Sequence, residues 1–229
     1  MKSSGEVKLF AGILLTALVL AGIAVYPSLS GRSPSPPTLA PKKVSLTRDT
    51  LVPPWSHTKG NPKAPFVLVE FGDYQCPSCA AGQKLVDKIF QENRNRLCVV
   101  FHPMVVNRSH VNSPTLTMAA EAAALQGKFW PMHAILYQNQ NLFETTNPAE
   151  VMNSLTKLAG EAKLDVLRFR SDITGDAVRK AYERDADLAN RLDVHVTPTF
   201  FFISPHGNAV KLESVQTMKD WLANPANWK

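Results

Sequence analysis

Cys76-Pro77-Ser78-Cys79 places two thiols with two residues between them in a chain of 229 residues. Where such a pair begins a helix, the first sulfur lies near N–H groups that have no partner in the first turn. The helix dipole favours an anion there. Cys76 is then the exposed, attacking thiolate, and Cys79, one turn on, is the buried resolving thiol. Pro77 suits the first turn because its missing N–H would have no helical partner. Exchange needs this inequality: a thiolate attacks, a mixed disulfide forms, and a second thiol resolves it. Half a zinc site would leave two ligands to find, and no second cysteine pair or closely spaced histidine pair supplies them. A structural staple across two residues at a helix start would be easily reduced, which suits turnover better than stapling. No cofactor beyond the Cys76–Cys79 pair and no metal is expected.

Other candidates carry weaker signals. Glu70 is an acid in an apolar run, between Val69 and Phe71 and six residues before Cys76. Its flanks favour burial over a strand-end acid facing water. Pro198, by its position alone, is an ordinary strand-start proline. Cys98, in Leu97-Cys98-Val99-Val100-Phe101, reads as a small buried hydrophobe. His102, His110, His133, His195 and His206 are scattered without metal spacing, and His195 reads as a surface residue. Phe129 and Trp130, with Met132 and Leu136, have the spacing of helix core packing.

The elements that position these residues alternate. Phe66–Phe71 reads as a buried central strand, followed by a helix from about Ser78 to Asn93 and a second strand at Leu97–Phe101. From about 113 to 193 the pattern is helical, with breaks near Gly127, Asn147, Gly160 and Gly175. Thr199–Ile203 and Ala209–Glu213 form a hairpin around Pro205-His206-Gly207, and Met218–Ala223 a last helix. This order describes an α/β thioredoxin core with an inserted helical subdomain. Three cysteines are too few for a disulfide scaffold.

The N-terminal part has another composition. Residues 1–8 are a flank, and residues 9–26 hold 18 residues without a charge. At ~1.5 Å per residue they reach ~27 Å as a transmembrane helix, close to the hydrocarbon thickness of a bilayer. Length favours a signal-anchor over a cleaved signal peptide, although small-x-small sites occur at Gly22-Ile23-Ala24 and Ser28-Leu29-Ser30. Lys2 and Lys8 before the span and Arg32, Lys42 and Lys43 after it leave orientation unsettled by charge. Residues 27–54 hold seven of the seventeen prolines and read as an extended linker without helix or interior strand. Residues 55–229 are then the folded domain, complete for chemistry from about Val52 onward. Residues 1–54 carry six Lys/Arg against two Asp/Glu, and residues 55–229 nineteen against seventeen. The near-neutral body excludes a nucleic-acid binder.

Three motifs in order make a resemblance specific. GNPKAPFVLVEFGDYQCPSC over 60–79, QGKFWPMHAILYQ over 126–138 and VTPTFF over 196–201 resemble the DsbA-like thiol:disulfide oxidoreductases of the thioredoxin superfamily. The resemblance extends over about residues 58–222. It implies that Pro198 is a cis-proline facing the sulfurs, with Val196 and Thr197 beside it presenting backbone groups to an extended substrate. It implies that Glu70 lies beneath Cys79 and relays its proton. The chain departs from the common pattern at Val196 and Asp193, where relatives often have Gly, and at Ser78, where strong oxidants have His. A milder oxidant is expected from the last difference.

The expected function is an extracytoplasmic thiol:disulfide oxidoreductase, forming disulfides in exported proteins. A reductase or isomerase of the same fold is the alternative, or a non-catalytic tethered holdase. The expected protein is a monomer anchored in the bacterial inner membrane through residues 9–26, with the catalytic domain on the periplasmic side. Its expected partners are reduced or misoxidised exported proteins and a membrane quinone-linked or thioredoxin-like redox protein.

Overall fold

The computed structural model describes residues 39–207 and 209–229. The central strand β3 (Phe66–Gly72) is buried at every position, as a strand covered on both faces must be. It pairs in parallel with β4 (Leu97–Pro103) and antiparallel with β5 (Thr199–Ile203), which continues into β6 (Ala209–Leu212). The catalytic helix α2 (Pro77–Asn93) makes the crossover from β3 to β4. Its buried residues Cys79, Gly82, Gln83, Val86 and Ile89 fall on one stripe at helical spacing.

Two edge strands were not foreseen. β1 (Lys42–Val44) pairs with β6, and β2 (His57–Lys59) pairs with β4, giving a six-stranded sheet in the order β1-β6-β5-β3-β4-β2. Between them lies a one-turn helix α1 (Arg48–Leu51), capped by Thr47 through the N–H of Thr50 at 3.2 Å. The linker expected to run to residue 54 therefore already belongs to the fold from about residue 42. Leu51 is fully buried in the cluster that holds Val67, Phe71 and Phe201. The proline argument holds only for interior strands; a three-residue edge strand after Pro41 escapes it.

The helical block comprises α3 (Ser113–Ala124), α4 (Phe129–Gln138), α5 (Pro148–Glu161), α6 (Val166–Asp172) and α7 (Asp176–Arg191). It fastens to the sheet edge through β2: His57 stacks on Phe129 at 3.5 Å and bonds Glu121 at 2.8 Å, and Trp130 donates to the Thr58 carbonyl at 2.8 Å. Gly160 does not break α5, which runs through it; the left-handed turn falls on Lys163, at φ 58°. The chain closes with α8 (Val215–Ala223), which packs against α2. Gly82 marks that contact, because a Cβ there would meet Val215 Cγ2 at 3.0 Å. No helix among the described residues is long and apolar enough to cross a membrane. The anchor expected at 9–26 lies outside the described residues.

Candidate active site

Cys76 caps α2 at its N-terminus in an extended conformation, with Pro77 in the first turn, as the motif requires. Cys76 is only 7% exposed, more covered than the attacking thiol was expected to be, and its sulfur lies 3.4 Å from the Thr197 carbonyl, to which the thiol donates. All three cysteines are free. The Cys76 thiol is lowered from its usual 9.0 to about 6, first by a hydrogen bond from the Cys79 side chain. Burial works against ionisation, while the backbone N–H groups of Cys79 and Ser78 and a bond from the Thr197 side chain favour it. Thr197 thus serves both states, its carbonyl accepting from the thiol and its hydroxyl donating to the thiolate. The structure replaces part of the expected dipole effect with discrete bonds.

Cys79 is fully buried, and its thiol is pushed far above the usual range. Burial is the main cause, followed by the bond it gives to Cys76 and the negative charge of Glu70. Glu70 is 1% exposed, and its Oε1 has no hydrogen-bond partner among the described residues. Strand alternation puts it on the face of β3 shared by Phe66 and Leu68, which pack with Val86 and Ile89 of α2. Burial first, then the charges of Cys76 and Asp87, raise Glu70 from 4.5 to about 8. Glu70 acts on Cys79 without a return effect, because neutral Cys79 has no charge to repel it.

The Thr197–Pro198 peptide is cis. Val196 is exposed beside it, and Pro198 is buried. Asp193, where relatives often have Gly, adopts φ 54° after α7, so this position does require the left-handed conformation that Gly favours. Clefts flank the Val196–Pro198 loop on both sides. One, of about 480 Å³, brings together Cys76, Pro77, Arg108, His110, His195 and Thr197. The other, of about 310 Å³, holds Ser78, Pro198, Glu213 and Gln216. A larger cavity of about 600 Å³ between α2, α8 and the C-terminus contains none of these residues and stands apart from the chemistry.

Sequence reasoning missed the polar scaffold beneath the site. Asp73, fully buried, accepts from the Gln75 N–H at 2.8 Å, from His110 Nδ1 at 2.8 Å and from the Ser113 hydroxyl. Gln140 donates to the carbonyls of Tyr74 and Cys76 at 2.8 and 3.0 Å. Tyr74 donates to His133 Nδ1 at 3.2 Å, and His133 Nε2 donates to the Gln83 side-chain Oε1 at 2.8 Å. Burial lowers His133 to about 3, which keeps the ring neutral as those bonds require. His102 bonds Asp185 at 2.9 Å and the Leu51 carbonyl at 3.2 Å. These histidines are scattered in sequence, and only the fold gives each its partner. Cys98 is buried as expected, and burial raises its thiol.

The sequence model of the family described as Thioredoxin matches residues 54–222. The chain belongs to the thioredoxin family. Its fold is that of DsbA-like thiol-disulfide oxidoreductases. A thioredoxin-like oxidoreductase from Silicibacter pomeroyi superposes with a TM-score of 0.60 at 24% identity, covering 79% of this chain and 98% of that one. BdbD from Bacillus subtilis superposes with 0.61 at 22% identity, covering 73% and 91%. Alpha-DsbA1 from Wolbachia pipientis superposes with 0.64 at 16% identity, covering 78% and 94%. Among curated relatives, the Na(+)/H(+) antiporter NhaA 1 of Mycobacterium sp. strain KMS is 33% identical over 164 residues. That match takes in 70% of this chain and 26% of the antiporter, so this thioredoxin family member spans about a quarter of that relative's length.

Proposed function

We propose that this chain is a thiol:disulfide oxidoreductase working as an oxidase on exported proteins. The observation that carries this reading is the split between the two sulfurs, Cys76 lowered to about 6 and Cys79 driven upward. A stabilised thiolate favours the reduced form, which makes the disulfide a readier oxidant. In the forward reaction a substrate thiolate attacks Cys76 Sγ of the Cys76–Cys79 disulfide. The S–S bond breaks, a mixed disulfide forms, and the departing Cys79 sulfur takes a proton. Burial, the leading cause that raises Glu70, favours its protonated form, which can supply one. A second substrate thiolate then attacks the substrate sulfur and expels the Cys76 thiolate. Two electrons pass to the protein, and a quinone-linked or thioredoxin-like partner must remove them. The extended substrate lies along Val196–Pro198, and residues 9–26 anchor the chain with this domain outside the cytoplasm.

Refolding of reduced ribonuclease by the oxidised protein tests the direction. Regain of ribonuclease activity with the oxidised protein in more than fourfold molar excess, one disulfide being supplied per molecule and four being needed, is expected, and it should be lost in Cys76→Ser. Efficient insulin reduction with no ribonuclease regain would instead assign a reductase.

A further inference from the structure

The two clefts beside Cys76 differ in charge. The cleft on the Pro77 side carries Arg108, His110 and His195 and no acidic side chain. The cleft on the Ser78 side carries Glu213 and no cationic one. Pairing modifies this contrast: Glu213 is bonded by Lys211 at 2.9 Å, and His195 by Asp193 at 2.8 Å. His110 gives Nδ1 to buried Asp73, and its Nε2 faces the Asn107 amide at 3.3 Å. Arg108 is exposed and has no hydrogen bond or ion pair among the described residues. It is the free cation of this wall.

The loop carrying Arg108 is held in place. Asn107 accepts from the Ser109 N–H at 3.0 Å and from its hydroxyl at 2.8 Å. Asp73 binds His110 with one oxygen and the Gln75 N–H of the catalytic turn with the other. A single buried carboxylate therefore fixes the position of the Arg108 loop relative to Cys76. An ion pair formed there needs less ordering than one with a wandering loop.

We propose that Arg108 makes this cleft a subsite for acidic residues flanking the reactive cysteine of an extended polypeptide substrate. The selectivity is directional, because only the Pro77 side carries it. This inference rests on the oxidoreductase reading above and adds the class of substrate segment.

The test uses three synthetic peptides with one cysteine, flanked on both sides by Glu, by Gln or by Lys. The rate at which each reduces the oxidised protein is measured for wild type, Arg108→Gln and Arg108→Glu, each divided by the rate with dithiothreitol. Flanking charges also alter the peptide thiol itself, so each comparison is made between variants on one peptide. Arg108→Gln should slow the Glu peptide about three- to fivefold relative to wild type and leave the Gln peptide unchanged, as one semi-exposed ion pair allows. Arg108→Glu should reverse the preference towards the Lys peptide, and 0.5 M salt should flatten every difference. Lys88→Gln removes the same net charge outside the cleft and should change none of these ratios. Equal ratios for all peptides across the Arg108 variants would overturn the subsite. So would an equal effect of Lys88→Gln, which would assign the preference to net charge. Failure of wild type to react with dithiothreitol would overturn the oxidoreductase reading itself, and the subsite with it.

Discussion

The hydrogen bond between Cys76 and Cys79 acts in opposite directions on its two ends. It is the leading cause that lowers Cys76 to about 6, and it adds to the burial that raises Cys79. The proton that one sulfur sheds is held more firmly by the other. The pair is therefore set to ionise once, at Cys76, under any neutral condition.

Alkylation of the reduced protein by iodoacetamide should show a rate inflection near pH 6, carried by Cys76 and absent in Cys76→Ser. Thr197→Ala removes a hydroxyl donor and should move the inflection up by on the order of one unit. An inflection above 8 in wild type would mean that the thiolate is not stabilised.

Glu70 gives a stability signature in the oxidised protein, where Cys76 does not titrate. Without the Cys76 charge, burial and Asp87 still hold its folded value above the unfolded 4.5, so the folded state keeps a proton that the unfolded state has lost. This contribution is complete below 4.5 and is lost as pH rises through the folded value. The loss stays below about 5 kcal/mol, the figure that the full rise from 4.5 to about 8 would give at ~1.4 kcal/mol per unit. Urea melts of wild type should show this decline from pH 5 to 8, and Glu70→Gln should not.

The same substitution tests proton transfer. Glu70→Gln should spare attack by Cys76 and slow resolution by Cys79 at least about tenfold, the low side of what such relays contribute. In wild type the resolution rate should climb with pH and level off once Glu70 is ionised. A Glu70→Gln protein resolving mixed disulfides at the wild-type rate from pH 6 to 9 would leave Glu70 a structural acid only.

Truncation should separate the linker from the domain. A chain starting at Leu39 keeps β1 and α1. One starting at Val52 loses buried Leu51, its carbonyl bond from His102, and the strand that covers β6. The shorter chain should be about 2–4.5 kcal/mol less stable in urea, given ~1.5–3 kcal/mol for one buried Leu plus ~0.5–1.5 kcal/mol for a lost hydrogen bond. It should also self-associate through the bared β6 edge, visible by size exclusion.

Ser78 is exposed beside Cys76 and offers no cation. Ser78→His should lower the Cys76 inflection by about one unit through the nearby charge and make the disulfide more oxidising against glutathione. An unchanged inflection would show that the bonds from Cys79 and Thr197 already saturate the thiolate.

Legibility followed the range of the interactions. Cys76, Pro77 and Cys79 are neighbours in the chain, so spacing alone placed them at a helix start. Glu70 and the order of strand, helix and strand were legible because apolar runs are local signals. Asp73 with His110 and His133 with Gln83 join residues 37 and 50 positions apart, and no local pattern marks such pairs. His57-Thr58-Lys59 is too short and too polar to read as a strand; its register with Val99, Val100 and Phe101 makes it one. The linker reading failed for a similar reason, since Lys42–Val44 is extended only because β6 stands beside it.

One short stretch, residues 42–59, supplies both outer strands of the sheet, β1 at one side and β2 at the other. In the order of synthesis these caps are made before any strand that they cover. β2 finds its partner when β4 is complete, but β1 must wait for β6, the last strand of the chain. Until then Lys42–Val44 is a loose end, and the sheet can be finished only when the chain has been made through Leu212. A ribosome stalled after β4 would hold a protein with its catalytic helix made, its resolving cysteine without the Leu116, Met132 and Leu136 of its buried cluster, and no edge closed but one.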